Sequence, residues 1–224
     1  MEQTLEIFYI RHANTSGAKP DGREPDDVGL SELGEKQLPL LGERFRGAHF
    51  DGVFVSPLYR CVRTAAAVLN NLADHPEAEL LYELSEKSTA RGTRGIGLAE
   101  SRRYYDNFVP CRDQIFGDGL DAGVSFDSAE KIQGLERCRA VLSYIRSRYT
   151  YGQRVLVVAH ASLGNCMLQS AVSLRDPQAG DFILSIYNTS VSKVSYAPDG
   201  RERIVFANDV SHLRPLMPNY QFDL

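Results

Sequence analysis

Short apolar runs and longer stretches of helical period follow one another along the chain. Residues 5–10 (Leu5-Glu6-Ile7-Phe8-Tyr9-Ile10) are mostly apolar, the pattern of a strand buried on both faces. Residues 17–29 are rich in Gly, Pro and Asp and read as a loop. Ser31 stands where an N-cap would, ahead of a helix to about residue 46 with Leu38, Leu41 and Phe45 on one face and Pro39 kinking its interior. Residues 51–55 form a second strand. Ser56-Pro57 then reads as an N-cap and first helical position, opening a helix that carries Arg60 and Arg63 before the apolar run 65–69. Residues 78–84 read as a third strand. The pattern weakens over 84–126, where a short helical piece around 101–116 is the main signal, and this stretch reads as an insertion. A long helix starts near Asp127 and Glu130, with Ile132, Leu135, Val141 or Leu142, Ile145 and Tyr149 at helical spacing. Residues 153–159 are the most strand-like run, and 162–172 is helical. Residues 182–187, 190–196 and 203–206 read as further strands, the last two joined by a Pro198-Asp199-Gly200 turn.

Alternating strands and helices predict an α/β fold in three layers, with helices on both faces of a mostly parallel sheet. One domain over 1–224 with a cap insertion at about 84–126 accounts for the length. Composition narrows the partners. Hydrophobic residues make up 43% and charged residues 24%, the usage of a folded globular chain. The net charge of −4 argues against nucleic acid and anionic membranes as partners. No apolar run approaches the ~20 residues that span a bilayer. There is no secretory signal pattern, and Cys61, Cys111, Cys138 and Cys166 are scattered, so the chain is expected in the cytoplasm with reduced thiols and no zinc site.

In open α/β sheets ligands sit beyond the carboxyl ends of the strands. The first strand ends at Arg11-His12, the second runs into Ser56-Pro57 and Arg60, the third ends at Glu83, and the strongest ends at His160. Any one of these alone reads as a solvated loop charge. Together they put two Arg, two His and one Glu on one rim. Guanidiniums offer planar paired donors that match a tetrahedral dianion, and helix N-termini add to that field. A neutral imidazole in such a pocket can act as a nucleophile, and a rim carboxylic acid can protonate a leaving oxygen and then activate water. The chemistry suggested is attack on a phosphate ester through a phosphohistidine.

The ordered motifs resemble a known family. Tyr9-Ile10-Arg11-His12-Ala13-Asn14-Thr15 is similar to the N-terminal signature of the histidine phosphatase superfamily, the phosphoglycerate-mutase-like fold. Leu30-Ser31-Glu32-Leu33-Gly34-Glu35-Lys36-Gln37 resembles its next helix, Ser56-Pro57-Leu58-Tyr59-Arg60-Cys61-Val62-Arg63-Thr64-Ala65 its second block, and Leu81-Tyr82-Glu83-Leu84 the block with the acid. Residues 155–164 resemble the block with the second histidine, and Asn208-Asp209-Val210-Ser211-His212-Leu213 a C-terminal segment of phosphatase members. The resemblance implies His12 as nucleophile and Glu83 as proton donor, with Glu86 and Glu100 as nearby alternatives for the acid. It implies Arg11, Arg60 and His160 as phosphate ligands, with no metal and no cofactor. The family usually has glycine after each histidine; here Ala13 and Ala161 stand in both places. Arg63 reads as a salt-bridged surface residue, and His49 and His75 as exposed. The substrate expected is a small phosphorylated metabolite. Lys87, Arg91, Arg94, Arg102 and Arg103 in the insertion read either as a solvated basic face or as a site for a second anionic group, and Tyr104, Tyr105 and Phe108 as an alternative apolar wall.

Three rival readings remain. A mutase is disfavoured because the chain has no Trp and residues 17–29 do not resemble the tryptophan-bearing stretch of mutases. A non-catalytic phospho-ligand binder would typically have lost one of these residues. A serine hydrolase would use Ser162 in His160-Ala161-Ser162-Leu163-Gly164, with Asp209 and His212 as partners, but leaves Arg11, His12 and Arg60 without a role.

Overall fold

In the computed structural model, residues 3–16, 27–86, 95–111, 134–172 and 184–216 are described. In chain order they form β1 (Leu5–Arg11), α1 (Glu32–Arg44), β2 (Gly52–Val55), α2 (Tyr59–Leu69), β3 (Ala78–Leu80), α3 (Gly97–Ser101), β4 (Phe108–Pro110), α4 (Gly134–Arg148), β5 (Arg154–Ala159), α5 (Ala161–Val172), β6 (Val191–Tyr196) and β7 (Glu202–Asp209). Short 3-10 turns cover Tyr82–Leu84 and Ser211–Leu216.

The sheet has the order β4-β3-β2-β5-β1-β6-β7. The first five strands in that order are parallel, and β6 and β7 close the β1 edge antiparallel. Alternation along the strands divides the core in two. Val155, Val157 and Ala159 of β5 pack with Cys138, Val141 and Ile145 of α4 and Leu163 and Met167 of α5. Leu156 and Val158 face the opposite way, onto Leu41 of α1 and Val62, Ala65 and Leu69 of α2. β5 is therefore covered on both faces, which is why its sequence is apolar without interruption. This is the three-layer α/β arrangement the pattern predicts.

Helix α1 starts hard against the end of β1. Ser31 caps α1 as expected, its Oγ accepting from Gly34 N at 3.0 Å and donating to Asn14 Oδ1 at 2.7 Å. A Cβ on Gly34 would lie 2.1 Å from Asn14 O, so only glycine lets α1 meet the backbone just beyond His12. Pro39 sits inside α1 on its exposed face, where the carbonyl it leaves unpaired can turn to water.

Four expectations change. Helix α2 begins at Tyr59 rather than at Pro57; its N-cap is Leu58, without a side-chain cap bond, and Asp27 Oδ1 accepts from Tyr59 N at 2.7 Å instead. Strand β3 ends at Leu80, so Glu83 sits on the 3-10 turn and not on a strand end. Leu84 N turns back to Leu81 O at 3.1 Å, which closes that turn. Within 101–116 the described part holds a strand, β4, paired parallel to β3, and not a helix beyond Ser101. Tyr105 and Phe108 lie in the core there, so they form no wall above the rim; Tyr105 OH donates to Pro76 O at 2.6 Å. Finally, 184–187 is no strand. Its backbone is satisfied by asparagine side chains: Leu184 N donates to Asn165 Oδ1 at 2.8 Å and Tyr187 N to Asn208 Oδ1 at 2.8 Å. Side chains that replace a ladder are not visible as hydrophobic periodicity. The expected loop over 17–26, the rest of the insertion at 87–94 and 112–126 with Lys87, Arg91 and Arg94, the helix start at 127–133, and 181–183 lie outside the described residues.

Candidate active site

The parallel register of β1 and β5 pairs Arg11 with Ala159, and His12 N donates to Ala159 O at 2.9 Å. Each strand is followed at once by a histidine. The rings of His12 and His160 therefore meet edge to face, with centroids 5.1 Å apart. Arg60 enters from the first turn of α2 and is only 7% exposed; His12 is equally buried and His160 is sealed at 0%. Arg11 ends β1 half-buried, its Nη1 donating to Ile186 O. Glu83 is half-buried on the 3-10 turn beyond β3.

His12 is held in one orientation by its own backbone. Its Nδ1 lies 2.8 Å from Ala13 O. A carbonyl only accepts, so Nδ1 carries the proton and Nε2 keeps its lone pair. The chain around it is clamped from α1, from α2 and from the segment just before β6. Thr64 Oγ1 of α2 accepts from Ala13 N at 2.9 Å, and Gln37 Oε1 of α1 accepts from Asn14 N at 2.9 Å. Asn188 Nδ2 donates to His12 O at 2.9 Å, and Thr189 N donates to Arg11 O at 3.0 Å. Thr189 adopts φ 56°, a left-handed conformation costly for a β-branched residue at about 1–3 kcal/mol. Strain of that kind, directly behind the nucleophile candidate, is typical of a functional site. Ala13 and Ala161 both keep negative φ, so the backbone here does not require the usual glycines. Ala13 is fully buried and its methyl group is accommodated.

Burial, and then the charges around them, keep the two imidazoles neutral. Burial first, then the Arg60 guanidinium, with Arg11 adding to it, pushes His12 down to about 3, against an upward pull from the Ala13 carbonyl. His160 is held well below the usual histidine range by burial, by His12, and by Arg60, Arg137 and Arg11. Burial also lowers Arg11, opposed by Tyr9 and Glu86 and reinforced by Arg60. Positive charges packed around two neutral rings make a receptor for an anion. Arg11 Nε and Ser190 Oγ, whose residues adjoin at the end of β1 and just ahead of β6, are buried without a partner among the described residues. Ser85 Oγ and Arg137 Nε, next to Glu83, share that condition.

These depressed pKa values set the acid limit of stability. Folding favours the neutral rings of His12, His160 and also His212, which burial and Arg44 hold near 4. The unfolded state binds more protons below about pH 6.5, so stability is complete above that pH and falls as the pH drops toward 3. The melting temperature should decline steadily below pH 6.5, and replacing His12 with Gln should flatten that decline. A melting temperature independent of pH from 7 to 4 would contradict the burial of neutral imidazoles.

Other expected positions fall as follows. Glu86 is half-buried and its charge acts on Arg11 and Arg137, whereas Glu83 acts on Arg137 and Glu100 on Tyr104. Arg63 pairs with Glu35 at 2.7 Å and stacks over Tyr104 at 5.1 Å, as a salt-bridged residue would. Tyr104 is occupied by that contact and by the Tyr59 ring. Arg102 and Arg103 are exposed, with Arg102 Nε donating to Phe108 O at 2.8 Å. His49 and His75 are exposed and paired with Asp74 and Asp106. Ser162 is exposed, and both nitrogens of His212 are engaged elsewhere, Nδ1 with Arg44 Nη1 at 3.2 Å and Nε2 with Thr189 Oγ1 at 3.2 Å. His212 is therefore not placed to serve Ser162 as a base. Among the described residues no three His, Cys, Asp or Glu side chains form a metal-ligand cluster, and no helix is long and apolar enough to cross a membrane.

Residues without an expected role at the site complete the rim. Ser56 Oγ lies 2.9 Å from His160 Nε2, and Tyr9 OH donates to His160 O. Arg137 is buried on α4, with Nη2 donating to Ser85 O at 2.9 Å, and so holds the turn that carries Glu83. A buried arginine on an otherwise amphipathic helix has no periodic signature; Thr64 and Gln37 were visible only as members of their motifs.

The chain was compared with known proteins. It is 28% identical over 206 residues to a broad-specificity phosphatase of Saccharomyces cerevisiae, covering 90% of this chain and 84% of that protein. It is 26% identical over 203 residues to a 2,3-bisphosphoglycerate-dependent phosphoglycerate mutase of Haemophilus influenzae, covering 80% and 89%. Among solved structures, a phosphoglycerate mutase from Bacillus anthracis superposes with a TM-score of 0.61 at 18% identity, covering 95% of this chain and 96% of that one, which supports the fold. Residues 7–210 match the histidine phosphatase superfamily (branch 1). With both histidines, both arginines and the sheet that aligns them in place, the chain belongs to the histidine phosphatase superfamily, branch 1, a family of phosphatases and phosphoglycerate mutases.

Proposed function

We propose that the protein is a phosphomonoester hydrolase that transfers a phosphoryl group to His12 and then to water. One observation carries this reading: the Nδ1–H of His12 is tied to Ala13 O, which leaves the Nε2 lone pair free in a pocket shared with Arg11, Arg60 and His160. Nε2 attacks phosphorus, the ester oxygen leaves, and the Glu83 carboxyl gives that oxygen its proton. The phosphohistidine is then attacked by water, whose proton returns to the Glu83 carboxylate, and His12 is released neutral. Arg11, Arg60 and His160 offset the charge on the equatorial oxygens throughout.

Water as the final acceptor rests on the absence of Trp and on the broad-specificity phosphatase among the relatives. The mutase reading has support in the phosphoglycerate mutase relative. The substrate proposed is a small phosphorylated metabolite, and four free cysteines suit a reducing compartment such as the cytoplasm. The site needs no metal, because the arginines supply the positive charge.

The purified protein should release inorganic phosphate from p-nitrophenyl phosphate and from small phosphate esters, at a rate unchanged by excess chelator. Transfer of the label from 2,3-bisphosphoglycerate to phosphoglycerate faster than its release as phosphate would favour the mutase instead. Loss of hydrolysis on chelation would overturn metal independence.

A further inference from the structure

We propose that Ser56 is a positioning residue that fixes the tautomer of His160, so that this imidazole presents Nδ1–H as its one donor to the phosphoryl group. The consequence for catalysis rests on the phosphatase reading above; the tautomer itself does not.

Ser56 directly follows β2, and its N–H donates to Val158 O at 3.0 Å, which brings it alongside the end of β5. In sequence it has the place of a helix cap. In the fold that duty is lifted, because α2 starts three residues later and Asp27 satisfies Tyr59 N. Leu58 N approaches Ser56 Oγ only at 3.5 Å, the limit of a hydrogen bond. The hydroxyl instead lies 2.9 Å from His160 Nε2, with both side chains fully buried.

A buried hydroxyl proton needs an acceptor. Two stand near Ser56: the Nε2 lone pair and the sulfur of Cys61, itself 3.4 Å from Nε2. Thiol sulfur is a weak acceptor. Burial raises Cys61 to about 12, so it keeps its proton, which points to Ala159 O at 3.6 Å. The imidazole lone pair is the stronger acceptor, so Ser56 donates to Nε2. The reverse arrangement, with Nε2–H donating to Ser56, would leave the hydroxyl proton only the sulfur.

His160 is neutral, pressed by burial and by His12, Arg60, Arg137 and Arg11, and a neutral imidazole carries one N–H. With Nε2 accepting, that proton is on Nδ1. The two histidines then play opposite parts. His12 spends Nδ1–H on Ala13 O and offers a lone pair; His160 accepts a hydrogen bond from Ser56 at Nε2 and offers Nδ1–H, which the weakly accepting Cys61 sulfur approaches only to 3.9 Å.

The test reads the proton directly. Nitrogen-15 NMR of histidine-labelled protein, with the His160 signals assigned by their loss in His160→Gln, should show Nδ1 protonated and Nε2 bare in the wild type. Ser56→Ala should move the proton to Nε2 or mix the two forms, and Ser56→Thr, which keeps the hydroxyl, should restore Nδ1–H. With the melting temperature unchanged, Ser56→Ala should weaken competitive inhibition by inorganic phosphate about tenfold, and Ser56→Thr should recover it. A purely structural serine would move neither the tautomer nor the inhibition constant at constant melting temperature. A wild-type His160 protonated at Nε2 overturns the proposal, and that spectrum is decisive even if Ser56→Ala fails to fold. A protein that hydrolyses no phosphate ester but shows Nδ1–H on His160 refutes the phosphatase reading and leaves the tautomer standing.

Discussion

Replacing His12 with alanine is expected to lower kcat by about 10⁴-fold or more while the protein still folds. The size of the effect follows from the division of labour at the rim. Arginines and a second histidine can bind a phosphate group without the nucleophile, but none can form the covalent intermediate. His12 is also a buried imidazole that burial first, and then Arg60 and Arg11, keep neutral, so its removal takes away a packed ring at any pH and, below about pH 6.5, also the cost of keeping that ring uncharged. The fall in melting temperature caused by the substitution should therefore be smaller at pH 5 than at pH 7. The comparison is made on p-nitrophenyl phosphate, with circular dichroism as the control for folding. Activity of the variant within tenfold of wild type would remove His12 from the mechanism.

Arg60→Ala should cost about 10³-fold in kcat/KM, the scale seen when a transition-state guanidinium is lost. Arg60 is the strongest charged influence on His12, so its removal should also let the pKa of His12 rise from about 3 toward the ordinary histidine value. A histidine works as a nucleophile only when deprotonated. The acid limb of the kcat/KM profile should accordingly move to higher pH in the variant, and the activity ratio of wild type to variant should widen as the pH falls. Arg60→Lys should restore part of the pH profile but less of the rate, because lysine returns the charge without the planar fork. An unshifted acid limb would show that Arg60 does not act on His12.

The strands that carry the site were legible in the sequence because their chemistry and their burial coincide. β1 and β5 are apolar runs that end at a histidine, and a parallel sheet aligns such ends by construction. Pattern alone failed where side chains took over the work of the backbone. Asn165 and Asn208 satisfy the segment at 184–187, and hydrophobicity there mimics a strand. Asp27, far from α2 in sequence, takes the capping role that Ser56-Pro57 advertises, and so frees Ser56 for His160. β4 was missed because three residues at a sheet edge, Phe108–Pro110, give too short a period to be distinguished from a helical turn. Arg137 was invisible for a different reason. A charge on a helix face is ordinarily solvated, and only the tertiary fold shows this one buried with Ser85 O as its partner.

The electrostatic picture also revises what the net charge implies. The net charge of −4 weighs against polyanions as partners, yet around His12 and His160 the chain buries Arg60 and Arg137 and half-buries Arg11. Local field, not total charge, decides which anion is bound.

The central claim is that a phosphoryl group passes through His12, and the most direct test is to catch it there. Wild-type protein mixed for milliseconds with a radiolabelled phosphate ester and quenched in alkali should retain label that is stable to base and released by mild acid, on the peptide containing His12. The His12→Ala protein should retain none. Label that survives acid, or that maps to a peptide without His12, or full turnover with no label at any quench time, would contradict the account.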